Sequence, residues 1–186
     1  LLDYTNKNKL TVTKKIEISM NILRGLNYLH NRKPNIIIHR DIKTKNVLIS
    51  PSGFAKIGDF GLSKVVSDNN IKQIPSLQDL VSENNDQIES GSNVVGTYKY
   101  MAPELKNCDN YTYKIDIWSV GIIFAELFEN KDYDDKFYWS KTPNEIRDII
   151  ISHMLRDDDK NRFDSSELIS LFEQIQNKKR KFCICL

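Results

Sequence analysis

The run from Ile115 to Phe128 constrains the fold most. The helix it predicts, Asp116 to Glu129, is apolar nearly all round, with Ile117, Trp118, Val120, Ile122, Ile123, Phe124, Leu127 and Phe128 spread over every face. A helix without a polar side must be covered on all sides by other elements. The run is too short for a membrane span and contains Asp116 and Glu126, so its place is the centre of a protein core. A chain of 186 residues, 40% hydrophobic and 28% charged, can wrap one such core as a single domain without disulfide staples.

The wrapping elements are legible around it. Ile16, Met20, Leu23, Leu26 and His30 form one stripe at helical spacing, which predicts a helix over Lys14 to His30, stopped by Pro34. Two apolar runs, Asn46 to Ile49 and Phe54 to Ile57, flank Pro51-Ser52-Gly53 and predict a hairpin. From Ser67 to Asn93 the chain is rich in Asn, Asp and Ser and reads as a mobile loop. Within it, Ser76-x-x-Asp79 could cap a single helical turn. Amphipathic helices are expected near Glu145–Leu155 and Ser165–Gln176. The fold class is mainly α with a small β-hairpin.

Charge and cysteine usage exclude several classes. The formal net charge is +2, too small to argue for nucleic acid, and it would turn negative without Lys178, Lys179, Arg180 and Lys181. Cys108, Cys183 and Cys185 have no zinc or thioredoxin spacing, and a sparse, odd count suits a reducing, cytoplasmic compartment. Leu1-Leu2-Asp3-Tyr4 is not a signal peptide, and the absence of an initiating Met points to a longer parent.

Five motifs then occur in order. They are His39-Arg40-Asp41-Ile42-Lys43-Thr44-Lys45-Asn46, Gly58-Asp59-Phe60-Gly61, Gly96-Thr97 through Ala102-Pro103-Glu104, Asp116-Ile117-Trp118-Ser119-Val120-Gly121, and Asp159-Lys160-Asn161-Arg162. In this order the set resembles the serine/threonine protein kinases, over residues 1–176. The resemblance implies a protein kinase-like fold of which this chain is the large C-terminal lobe. It also implies transfer of the ATP γ-phosphate to a protein Ser or Thr hydroxyl.

Phosphoryl transfer passes through a loose transition state, so such a protein mainly positions groups and stabilises charge. By resemblance, Asp41 orients the acceptor hydroxyl and takes its proton, and Lys43 reaches the transferring phosphate. Asn46 and Asp59 hold Mg²⁺ through hard oxygen ligands, and Asn46, Leu48 and Asp59 bind ATP. His39 is expected under Phe60, bonded to backbone. Asp116 is expected to hold the catalytic loop's backbone, and Glu104 to pair with Arg162 in the core. Lys43 and the Gly96-Thr97 pair go with Ser/Thr specificity, Thr97 bonding towards Asp41 and Lys43. Arg40 is placed to receive a phosphate on the activation segment, residues 59–104, and Ser90 and Ser92 are the candidates for carrying it.

The sequence departs from the family pattern in three places. It has no Gly-rich loop, strand Lys or helix Glu, so the N-terminal lobe that grips ATP is a partner expected upstream. Asp59 and Glu104 are 45 positions apart, long for an activation segment. Residues 130–143 are short where the family has a fuller substrate-docking helix. A second function class therefore stands beside the enzyme: a truncated kinase-like regulatory or scaffolding module without turnover. Finally, residues 177–186 read as a basic tail. Its last four residues, Cys183-Ile184-Cys185-Leu186, resemble a prenylation signal with Cys183 as acceptor, which would place the protein at the cytoplasmic face of a membrane.

Overall fold

A computed structural model describes residues 1–67, 98–107, 110–134 and 137–184. In chain order these form α1 (Leu2–Lys7), α2 (Val12–His30), β1 (Asn35–Ile38), a 3₁₀ turn (Thr44–Asn46), β2 (Val47–Ile49), β3 (Ala55–Ile57) and β4 (Lys64–Ser67). Then follow α3 (Pro103–Lys106), α4 (Lys114–Glu129), α5 (Asn144–Ile149), a π-helical turn (Ile150–Met154), a 3₁₀ turn (Asp159–Asn161) and α6 (Ser165–Ile184).

The central helix is α4, and it is buried along its length. Ile117, Val120, Ile122, Ile123 and Phe124 are fully enclosed. Removing such a side chain from water stabilises by about 1.5–3 kcal/mol. α2 starts at Thr11, whose hydroxyl accepts from the Lys14 amide at 3.2 Å. It lays Ile16, Met20, Ile22, Leu23 and Leu26 against α4 and α6. A second apolar cluster, made of Ile36, Ile38, Val66, Ala102, Leu105, Tyr111 and Ile115, sits at the N-terminal end of α4. Trp118 packs against both clusters and joins them. The π-helical turn comes close to α4 at Gly121, where an added Cβ would lie 2.8 Å from Leu155.

The hairpin forms as its turn residues dictate, with Val47 opposite Ile57 and Ile49 opposite Ala55. Gly53 takes φ +80° in the turn, a conformation that costs other residues energy. Three features exceed the sequence reading. α1 forms at the start. β1 pairs antiparallel with β4, Ile36 opposite Val66. These strands are four residues each, one is a continuous apolar run, and no turn links them, so no periodicity announced the pairing. α6 continues past Gln176 to Ile184 and takes in the basic run and Cys183. Cationic residues suit the negative end of a helix, which favours this extension. The Ser76–Asp79 turn lies outside the described residues.

The described residues of 130–142 hold no helix; a buried carboxylate sets their path. Glu129 accepts from the amides of Ser140, Lys141 and Thr142 at 2.8–3.0 Å, and from the Ser140 and Thr142 hydroxyls. Lys15 closes the same corner by donating to the Phe128 carbonyl and to Asn130 at 3.0 and 2.9 Å. Burial alone would raise the Glu129 pKa. The Thr142 hydroxyl and the three amides outweigh it and hold the carboxyl at about 2. A carboxyl depressed on folding contributes stability that is complete above its ordinary value of 4.5 and disappears as pH falls through 2. Glu129→Gln should therefore cost about 2–4 kcal/mol at neutral pH, since it breaks charge-assisted bonds and orphans buried amides. Urea denaturation of both proteins should show this gap closing across that acidic window; a gap independent of pH would mean the bonds do not carry it.

Candidate active site

The site is built around the loop between β1 and the 3₁₀ turn. Its anchor is Asp116 in the first turn of α4, 1% exposed. One carboxylate oxygen accepts from the Arg40 amide at 2.9 Å; the other accepts from the His39 amide at 2.8 Å and meets His30 Nε2 at 2.9 Å. A buried carboxylate demands such partners. Here two of them are consecutive backbone amides, so meeting the charge also fixes the loop. Arg40 is held at φ +66°, a left-handed conformation that a non-glycine residue keeps only when its surroundings impose it.

Beyond Arg40 the chain presents Asp41, 8% exposed. Its Oδ2 accepts from Lys43 Nζ at 2.7 Å and from the Asn46 amide nitrogen at 3.1 Å. The Asn46 nitrogen also donates to the Asp41 carbonyl at 2.8 Å. These bonds fix the carboxylate plane and leave the Asn46 oxygen for another partner. Asp41 Oδ1 is buried with no hydrogen-bond partner among the described residues. An orphaned acceptor of this kind is costly in a folded core and calls for a partner beyond the described residues.

The hairpin delivers the second acid. The Gly58 amide donates to the Asn46 carbonyl at 2.8 Å, tying the end of β3 to the start of β2. His39 lies at 4.9 Å from the Phe60 ring, and its Nε2 meets the Gly58 carbonyl at 3.0 Å. Asp59 follows with φ +63°, a second strained non-glycine residue, and its carboxylate is exposed. The strain lies at the position that turns this side chain out of the hairpin. Leu48, 60% exposed, and Phe60, 45% exposed, flank it, giving an apolar surface beside the acids.

Asn46 and Asp59 together offer one amide oxygen and one carboxylate, the hard donors a magnesium ion prefers, on elements tied by the Asn46–Gly58 bond. The described residues contain no group of three or more His, Cys, Asp or Glu placed to hold a metal ion. Any cation held here would therefore complete its shell with ligand and water oxygens, which is how magnesium usually binds.

Arg40 turns away from Asp41: its Nε donates to the Leu62 carbonyl at 2.6 Å, and an amino group reaches the Tyr111 hydroxyl at 3.4 Å. Thr97, Ser90 and Ser92 lie outside the described residues. Glu104 and Arg162 form a two-pronged pair at 2.6 and 2.7 Å. Arg162 also donates to the carbonyls of Arg156, Lys114 and Asp157 and stacks over Trp118. This satisfies the whole guanidinium fork, so the pair is an architectural clamp at the end of the 98–104 segment.

Sequence reasoning missed a polar chain on the other side of the loop. Thr44 Oγ1 meets the Tyr100 hydroxyl at 2.9 Å, and that hydroxyl donates to Glu126 Oε2 at 2.8 Å. Glu126 Oε1 accepts from Lys99 Nζ at 2.6 Å and from the Tyr133 amide at 3.1 Å. Burial and then the Glu126 charge push the Tyr100 hydroxyl up to about 12. Burial would lower the Lys99 pKa, but its bond to Glu126 outweighs this and holds it above its ordinary value. The one available hint was an acid inside an apolar helix. Its partners, 26 and 27 positions earlier, carried no signal. His30 was read as part of an apolar stripe, and its bond to Asp116 spans 86 positions.

A carboxylate with one buried oxygen unmet among the described residues, a lysine beside it, an amide and a second acid on a tied hairpin form one polar site on a mainly helical frame. The model of the protein kinase domain matches residues 1–182, and the chain belongs to that family. It is 36% identical over 127 residues to the serine/threonine-protein kinase VIK of Arabidopsis thaliana, a match covering 67% of this chain and 26% of that protein. It is 37% identical over 131 residues to the serine/threonine-protein kinase shk2 of Schizosaccharomyces pombe, covering 70% and 19%. A probable serine/threonine-protein kinase of Dictyostelium discoideum is 34% identical over 131 residues, covering 70% and 11%. The chain thus spans about a quarter or less of the length of these relatives.

Because Asp116 holds two amides and a histidine, Asp116→Asn should destabilise the protein by about 3 kcal/mol. The amide oxygen can serve only one side of this arrangement, and the NH2 group then faces the donors on the other. Denaturant titration measures the loss, and hydrogen exchange of the His39 and Arg40 amides should rise more than that of α6; uniform exchange would contradict the anchor.

Proposed function

We propose that the protein is a serine/threonine kinase, and that this chain is the half of it that carries the catalytic loop and receives the protein substrate. The observation that carries the proposal is the arrangement at Asp41: one oxygen fixed by Lys43 and Asn46, the other buried and unpartnered. An acceptor hydroxyl arriving at Oδ1 would gain a hydrogen bond that no described residue supplies. Asp41 would orient it and take its proton as the oxygen attacks phosphorus. Lys43, 2.7 Å from the same carboxylate, would meet the charge that develops on the transferring phosphate. A scaffold without turnover has no use for this alignment.

Asn46 and Asp59 would hold Mg²⁺. When bound, that ion neutralises phosphate charge and bridges phosphate oxygens. Leu48 and Phe60 would lie under the nucleotide and the lobe that grips it, a lobe whose Gly-rich loop and lysine are not in this sequence. Lys43 supports Ser or Thr as acceptor, and the three named relatives are serine/threonine kinases by name.

In the protein joined to its nucleotide-gripping lobe, Asp41→Asn should lower kcat at least 100-fold while leaving Mg·ATP affinity intact, the scale of a lost general base. Asp59→Asn should weaken Mg²⁺-dependent nucleotide binding as well. The 186 residues alone should not turn over, because positioning makes up most of this catalysis. Nucleotide titration with steady-state kinetics separates the two roles. Unchanged Mg·ATP affinity in Asp59→Asn would remove it as a metal ligand, and product containing only phosphotyrosine would exclude the Ser/Thr assignment.

A further inference from the structure

The basic run Lys178-Lys179-Arg180-Lys181 takes no part in the chemistry at Asp41, yet the fold gives it a definite setting. α6 is fastened to the lobe by Ser165, Leu168, Phe172 and Ile175, a buried stripe at helical spacing on the helix that packs on α2. The next position of that register is Lys179, so the apolar stripe ends at Ile175. The helix does not end there. Gln176 to Ile184 carry it about 13 Å further at the ordinary rise per residue.

Four consecutive positions step round a helix by about 100° each, so the basic residues encircle α6 instead of lining one face. No acid stands within four positions of any of them, which removes the usual pairing along a helix. Lys178 meets Glu145 of α5 at 3.2 Å, but both side chains are more than half exposed, and such a pair holds weakly. The negative end of the helix dipole amounts to roughly half a charge, against four positive ones. Most of this charge is left for a partner. The residues that follow, Phe182, Cys183 and Ile184, still belong to the helix and are apolar.

We infer that this end of α6 binds an anionic lipid surface, and does so before any lipid is attached to Cys183. A nucleic acid or an acidic protein face would satisfy the cations alone. A bilayer offers anionic headgroups and then hydrocarbon, the order in which α6 places its basic turn and its apolar turn. The lengths agree as well. Four helical residues span about 6 Å along the axis, and a headgroup layer is about 5–8 Å deep on each side of the bilayer. The contact requires no turnover, so it stands apart from the reading of Asp41.

The test is co-sedimentation of the full-length protein, purified without lipid modification, with vesicles of phosphatidylcholine alone or mixed with phosphatidylserine. The wild type should bind the mixed vesicles and not the neutral ones. It should be released in about 1 M salt, where the screening length falls to about 3 Å. Replacing Lys178, Lys179, Arg180 and Lys181 together by Gln should weaken binding at least about 100-fold, since each basic residue near such a surface is worth roughly fivefold. Phe182→Ser/Ile184→Ser should weaken it about tenfold or more, the scale of apolar side chains kept in water. Thermal melting of the three proteins shows whether the variants are folded. If they are not, the wild type still decides: no binding to mixed vesicles, or equal binding to neutral ones, would overturn the inference. Full affinity in either folded variant would overturn it too. So would a protein that retains an RNA oligomer and ignores the vesicles.

Discussion

The carboxylate of Asp116 is the constraint on which the rest of the structure depends. Buried and charged, it must be met by donors, and the donors within reach are the amides of His39 and Arg40 and the ring of His30. Once these bonds form, the loop after β1 has no freedom left at its start. Arg40 is forced into a left-handed conformation, and Asp41 emerges facing Lys43 and Asn46. A buried charge is weak evidence for net stability but strong evidence for a unique arrangement, since few arrangements satisfy it.

The same logic runs along α4. A helix buried all round should be purely apolar, yet this one contains four buried polar side chains: Asp116, Ser119, Glu126 and Glu129. Each meets a segment that has no regular structure to hold it. Asp116 fixes the loop after β1. Ser119 donates to the Tyr100 carbonyl at 2.8 Å. Glu126 collects Lys99, Tyr100 and Tyr133, and Glu129 collects residues 140–142. The central helix is therefore both the hydrophobic axis and the template on which the loops are set. Apolar burial supplies the driving force, and the polar side chains supply the direction.

This explains how the described residues of 130–142 are held without a helix. A short segment cannot bury an apolar face of its own. It can be held by its backbone, and Glu129 does so with three consecutive amides.

By itself the sequence determined the local elements and the family. The stripe of α2, the all-round apolarity of α4 and the turn at Pro51-Ser52-Gly53 are short-range signals, and the helices and hairpin follow from them. The candidate acids and Lys43 were recognisable because their motif compresses the site into one short loop and one hairpin. The tertiary structure alone decided which distant groups meet. The pairing of β1 with β4, the His30–Asp116 bond and the Lys99–Glu126–Tyr100 chain join residues 26 to 86 positions apart. Periodicity reports only which face of an element is apolar. It cannot say which buried polar group on one element will satisfy another, because that choice is made when the elements pack and every desolvated charge must find its donor.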